Sequence, residues 1–175
     1  MQKRIADRLV WAVKTLAVAP SDRILEIGCG NGSAVSLICK NLISGKVVAI
    51  DQSEKRIELA RRVNAENVEA GKVTFLTAPL HEADLCQAQF DKIFAVNVNL
   101  FWMKAARELT ILKERLLPGG AIYLFNQPPT KEKVGDIAER TVNNLRSAGF
   151  NVQPIVMGDI VPVPVVCVVA DSGDA

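Results

Sequence analysis

Five residues in the first third of the chain have the types and spacing to hold a nucleoside. Gly28, Gly30 and Gly32 place three glycines within five positions, with Glu26 just ahead of them and Asp51 further on. Glycines let bare backbone approach a ligand where a Cβ would block it, and they tolerate the positive φ of a tight turn. A carboxylate at the place of Asp51 can accept hydrogen bonds from both hydroxyls of a ribose. These roles need a scaffold. Ile24, Leu25 and Ile27 read as a short buried strand that leads into the glycines. Ala34, Val35, Leu37, Ile38 and Leu42 read as the helix that leaves them, and Lys46-Val-Val-Ala-Ile50 as a second strand that ends in Asp51. Glycine turn and acid therefore fall at the ends of adjacent strands of one βαβ unit.

Two kinds of nucleoside use such a layout. Nicotinamide and flavin dinucleotides want Gly-x-Gly-x-x-Gly, and here Ser33 stands in the third glycine's place. The run Glu26-Ile-Gly28-Cys-Gly30-Asn-Gly32 instead resembles the first motif of the class I S-adenosylmethionine-dependent methyltransferases, Glu/Asp-x-Gly-x-Gly-x-Gly, at every fixed position. Val48-Ala-Ile-Asp51-Gln-Ser resembles that family's acidic ribose-binding motif, and Phe90-Asp-Lys-Ile-Phe-Ala-Val-Asn97 its fourth strand. Leu116-Leu-Pro-Gly-Gly120 with Ala-Ile-Tyr-Leu-Phe after it resembles the turn and fifth strand, and Ser147-Ala-Gly-Phe150 the entry to the sixth. The likeness spans roughly residues 18 to 170, as far as motif positions can place its ends.

The resemblance implies a fold, a cofactor and an activity. The fold is α/β: a doubly wound, mostly parallel seven-stranded sheet with helices on both faces and a C-terminal antiparallel hairpin. The cofactor is S-adenosyl-L-methionine and the activity is methyl transfer to an acceptor. Gly28, Cys29, Gly30 and Gly32 would line the methionine half, Glu26 would reach its ammonium, and Asp51 would hold the ribose. Gln52 would lie along the adenine edge. The family often carries an acid just after the third strand for the adenine amino group, and Thr77-Ala-Pro-Leu-His-Glu82 has none at that place. Backbone around Ala78, Pro79 and Leu80 is one substitute; Glu82 or Asp84 reaching back is another.

The methyl group of a sulfonium is already activated, so the reaction demands alignment and exclusion of water more than an acid, a base or a metal. The catalytic residue is accordingly left open between Asn97 and His81, and no metal ligands are assigned. Asn97 closes the fourth strand, where ligands meet open α/β sheets, and can touch cofactor or substrate or simply form a turn. His81 is the sole histidine. It falls in the loop after the third strand, as a general base or as a surface residue. Asn99, Phe101 and Trp102 read as a substrate wall or as burial against the next helix. Asn126-Gln-Pro-Pro129 looks like the Asn-Pro-Pro-aromatic motif of amino-group methyltransferases, but it follows the fifth strand, carries Gln127 between Asn and Pro, and ends in Thr130.

The elements that position these residues follow from periodicity. Residues 3 to 17 read as an amphipathic helix, with Ile5, Leu9, Ala12, Val13 and Leu16 on one side and Lys3, Arg4, Asp7 and Lys14 on the other. Ser53 caps a helix carrying Ile57, Ala60 and Val63 that Gly71 ends, with Arg61 and Arg62 on a solvated face. Strands follow at 73 to 77 and 91 to 96, a helix from 104 to 116, a fifth strand after Pro118-Gly-Gly, and a helix near 131 to 147. The runs 150 to 156 and 163 to 170 are separated by too short a loop for a crossover, so they must pair antiparallel.

The whole chain, 1–175, reads as one domain, with 1–20 as N-terminal helix and linker and 171–175 as a frayed tail. It carries 21 Lys and Arg against 19 Asp and Glu, with no dense basic run, so composition gives no nucleic-acid signal. Cys29, Cys39, Cys86 and Cys167 show neither pairing nor metal spacing and read as apolar fillers in a reducing compartment. With no signal peptide and no apolar run long enough to span a bilayer, a cytoplasmic enzyme that acts on a small molecule is expected, with enclosure by a homo-oligomer open. Two rivals stand beside it. A nicotinamide-dependent oxidoreductase is disfavoured by Ser33 and the C-terminal hairpin; a non-catalytic subunit that keeps the fold is the other.

Overall fold

Period-two burial along the strands divides the core into two layers. In β1 (Arg23–Ile27), Ile24 joins one apolar cluster while Leu25 and Ile27 join the other, as a pleated strand covered on both faces requires. The computed structural model describes residues 5–173. β2 (Lys46–Asp51), β3 (Val73–Thr77), β4 (Phe90–Val96) and β5 (Leu116–Asn126) extend the sheet in parallel, in the order β3-β2-β1-β4-β5. β8 (Val165–Asp171) lies antiparallel beside β5, and β6 (Asn151–Val152) and β7 (Val156–Gly158) both pair antiparallel with β8. The register gains one residue between Val152↔Ala170 and Val156↔Cys167, and Pro154, without an N–H to give the ladder, sits in that gap. β6 and β7 are thus one hairpin arm broken by a bulge, and the eight strand segments fill the seven expected positions.

α1 (Asp7–Leu16), α2 (Ser33–Cys39) and α3 (Glu54–Val63) cover one face through Leu16, Ile38 and Ile57, whose side chains are fully or almost fully buried. α5 (Ala106–Arg115) and α6 (Glu132–Ser147) cover the other through Leu109, Leu112 and Leu145. Each such side chain contributes ~1.5–3 kcal/mol by leaving water. The glycine turn leaves β1 on the face that α1 and α2 roof.

Several boundaries differ from those the sequence suggests. α1 begins at Asp7 and ends at Leu16, where Ala17 turns left-handed at φ 46°; Ile5 precedes it, and Lys3 and Arg4 lie outside the described residues. The helix after Ser53 breaks at Asn64 before a short α4 (Ala65–Glu69) that Gly71 closes. The break has a cause. Asn64 is buried and donates through Nδ2 to the carbonyls of Gly32 and Ala60, while its Oδ1 accepts from Ser36 Oγ at 2.7 Å. Val63 is left exposed rather than inward. Arg61 is more than a solvated charge, since its Nη2 donates to the Phe75 carbonyl. The Pro118-Gly-Gly turn forms a wide irregularity within β5, between Leu116↔Phe90 and Ala121↔Lys92. Asp171 is not tail: it closes β8, pairs with Ala121 and Asn151, and accepts from Gln153 Nε2 at 2.8 Å. Residues 174 and 175 lie outside the described residues.

Candidate active site

The ends of β1 and β2 are tied to each other before any ligand arrives. Gly28 and Cys29 donate their backbone N–H groups to the Ile50 carbonyl at 2.8 and 3.0 Å. Asp51 accepts from Gly30 N through Oδ2 and from Ser53 N through Oδ1, each at 2.9 Å. An ionised carboxylate has about four acceptor sites, so both oxygens keep capacity for further donors. Ser53 caps α3 by accepting from Arg56 N.

The three glycines do different things. A Cβ on Gly28 would lie 2.7 Å from Val98 Cγ2, so backbone must pass bare beneath that wall. Gly30 opens toward the cleft, with Arg56 Nη1 at 3.7 Å from its Cβ position. Gly32 does not line the cleft: its Cβ position is 2.6 Å from Asn64 Nδ2 and 3.3 Å from Phe75 Cζ, so it serves the packing of the turn on α3.

Above these strand ends lies a cleft of two lobes. The first, about 570 Å³, is lined by Glu26, Gly28, Cys29 and Gly30 below, by Arg8 and Leu9 of α1 above, and by Asn97 at the side. The second, about 630 Å³, is lined by Asp51, Gln52, Pro79, Leu80, His81 and Glu108, with apolar walls from Ile50, Val98 and Leu100. Gly28, Asp51, Arg56 and Val98 line both, so the lobes are continuous there. A third pocket, about 440 Å³, adjoins the first through Arg8 and Asn97 and is closed by Gln127, Pro128, Pro129 and Ile160 to Val163.

Glu26 is the electrostatic anomaly. Its side chain is buried and its Oε2 has no hydrogen-bond partner. Burial, and secondarily the charge of Asp51, push its carboxyl up to about 8. A buried polar atom without a partner costs free energy that an incoming donor recovers. The Cys29 thiol beside it is also pushed up, first by burial and then by Glu26 and Asp51. Asn97 holds a left-handed backbone at φ 56°. Its N–H donates to the Phe125 carbonyl at 2.8 Å and its Oδ1 accepts from Gln127 N at 2.7 Å; Gln127 Nε2 in turn donates to the Val163 carbonyl. Asn97 therefore knits together the tips of β4, β5 and the approach to β8.

Of the residues expected at a site, Glu26, Gly28, Cys29, Gly30, Asp51, Gln52, Pro79, Leu80, His81 and Asn97 line this cleft. Phe101 does not: it is buried in the second core layer, and Trp102 and Asn99 also stay off the lining, their place taken by Val98 and Leu100. Glu82 is 68% exposed and Asp84 turns back to accept from Cys86 N, so neither reaches the second lobe. Sequence reasoning missed Arg8, Arg56 and Glu108. Arg56 had a signal, because a residue in the first turn of a helix capped by Ser53 lies beside Asp51. Among the described residues no group of His, Cys, Asp and Glu is placed to hold a metal ion, and no helix is long and apolar enough to cross a membrane.

Residues 24–120, more than half of the chain, match the family model of a methyltransferase domain. The chain belongs to that family, the class I S-adenosylmethionine-dependent methyltransferases. The uncharacterized methyltransferase YdaC of Bacillus subtilis (strain 168) is 27% identical over 165 residues, 91% of this chain and 88% of that protein. A malonyl-[acyl-carrier protein] O-methyltransferase of Priestia megaterium is 28% identical over 123 residues, 70% of this chain but 43% of that enzyme, so the chain spans less than half its length. Among solved structures, a SAM dependent methyltransferase from Aquifex aeolicus shares the fold with a TM-score of 0.75 at 20% identity, covering 93% of this chain and 88% of that one. A precorrin-6y C5,15-methyltransferase from Geobacter metallireducens does so with a TM-score of 0.72 at 18% identity, covering 97% and 91%.

Proposed function

We propose that the two-lobed cleft binds S-adenosyl-L-methionine, methionine half in the first lobe and adenosine in the second, and that the methyl group passes to a small molecule seated in the pocket beyond Asn97. The observation that carries this is the pair of carboxylates on adjacent strands. Buried Glu26 has an unpartnered oxygen where an ammonium would lie, and Asp51 keeps acceptor capacity where a ribose would lie.

When bound, the cofactor supplies a methyl group activated by its positive sulfur. The work left to the chain is to hold two molecules in line and keep water out, which can supply ~7–11 kcal/mol of a barrier. Bare backbone at Gly28 and Gly30 lets the methionine half lie close to β1. Asp51 fixes the ribose against the glycine turn it already braces. Val98 and Leu100 give the base apolar walls. Asn97 stands where the cofactor cleft meets the third pocket, and there it orients the acceptor. The third pocket is of small-molecule size, and its wall is fixed by the Asn97–Gln127–Val163 hydrogen bonds and by prolines. The four free thiols fit a reducing compartment, and we assign the enzyme to the cytoplasm.

Methyl-tritiated S-adenosylmethionine incubated with the protein and a desalted, then small-molecule-replenished, cell extract tests the acceptor reading. Label should pass into dialysable products and should fall sharply with Asn97→Ala. Label retained on protein or nucleic acid would contradict it.

A further inference from the structure

The second lobe carries, besides Asp51, a carboxylate with no role so far. Glu108, in the first turn of α5, lines this lobe with a side chain only 13% exposed. Its Oε1 lies 3.5 Å from His81 Nδ1, and His81 Nε2 lies 3.4 Å from Glu82 Oε1. Glu82 points out to solvent and Asp84 is engaged with Cys86. Glu108 is therefore the carboxylate that this lobe presents besides Asp51. Ile50, Leu80, Val98 and Leu100 give the same lobe apolar walls. An apolar-walled lobe that holds both a sugar-binding acid and a second, largely sheltered carboxylate suits a flat base whose edge carries an amino group.

We propose that Glu108, held beside His81, is the specificity-determining carboxylate that accepts a hydrogen bond from the 6-amino group of adenine. This rests on the cofactor reading above and adds to it a residue from a different element than the loop after β3. The chemistry gives a sharp contrast. An ionised carboxylate only accepts hydrogen bonds. It is satisfied by the amino group of adenine and opposed by the carbonyl oxygen that replaces it in hypoxanthine. A sheltered polar group left facing a mismatched one is the device by which sites reject close analogues.

Titration calorimetry with S-adenosylhomocysteine and S-inosylhomocysteine on the parent and on Glu108→Gln tests this. The parent should prefer the adenosyl form by roughly ten- to a hundredfold, the range of a charge-assisted hydrogen bond. A glutamine amide both donates and accepts, so in Glu108→Gln the preference should shrink to within about threefold, with the inosyl form bound more tightly than by the parent. A purely structural role would weaken both ligands together and leave their ratio alone. An unchanged ratio in a variant whose melting curve matches the parent's overturns the assignment. So does a parent that binds the two forms equally, whatever the variant does. A parent that binds neither nucleoside overturns the cofactor reading itself, and this inference with it.

Discussion

At the scale of single residues, Glu26 and Asp51 make separable predictions. The ligand-free fold raises Glu26 from 4.5 to about 8. The unfolded chain releases this proton from about pH 4.5 upward, whereas the fold keeps it until about pH 8. Stability from this site is thus whole below about pH 4.5 and is lost as pH rises through about 8. Glu26→Gln should therefore melt higher than the parent at pH 8 without ligand, and the difference should close by pH 5. A gap that does not change with pH would contradict the burial argument. An ammonium brought to Glu26 favours its charged form, so binding of S-adenosylhomocysteine at pH 7 should release a proton from the parent and not from Glu26→Gln. Calorimetry in buffers of different ionisation enthalpy reads this directly. For Asp51→Ala, loss of ribose contacts should weaken S-adenosylhomocysteine by ~2–3 kcal/mol, a factor of about 30 to 150. The same change frees Gly30 N and Ser53 N, so melting curves must accompany it. Asn97→Ala should cost less in affinity and more in turnover. Equal binding by a folded Asp51→Ala would remove the ribose assignment. The place of Asp51 at the cleft was legible in the sequence because it closes a strand. Glu108 was not, because its place at the lobe depends on how α5 packs.

At the scale of elements, α1 joins the roof of the cleft to the hairpin. Trp11 meets Phe125 of β5 edge-on, with ring centroids 5.7 Å apart, while Arg8 and Leu9 line the first lobe. Gly158, at the end of β7, lies under the Trp11 indole so closely that a Cβ there would collide with it. Gly158→Ala should therefore displace Trp11, raise hydrogen exchange along α1 and weaken S-adenosylhomocysteine by a few-fold, with little change in α5 and α6 on the opposite face. Exchange in α1 that stays at parent levels would show that the helix is held by its other contacts. Strand and helix order was readable from periodicity and caps: β3 and the Ser53 cap fall where the pattern put them. The break at Asn64 and the bulge at Pro154 were not, because both answer to partners distant in the chain, Gly32 and Ser36 for the first and β8 for the second.

At the scale of the whole molecule, three features converge on one edge of the sheet: the glycine turn, the acid that ends β2, and a pocket reached past Asn97. The antiparallel β8 beside β5 separates this sheet from one that continues in parallel, the distinction the short loop after residue 156 implied. The cleft's two lobes meet at Gly28, Asp51, Arg56 and Val98, and in the proposed reading a ribose on Asp51 joins an ammonium near Glu26 to a base that reaches Glu108. The most direct test is a crystal structure of the protein with S-adenosylhomocysteine. The account predicts one nucleoside across both lobes: ribose hydroxyls on Asp51, the amino group on Glu26, and the base between Leu80 and Val98. Density for the nucleoside in another pocket, or in the reverse direction with its base beside Glu26, would contradict it.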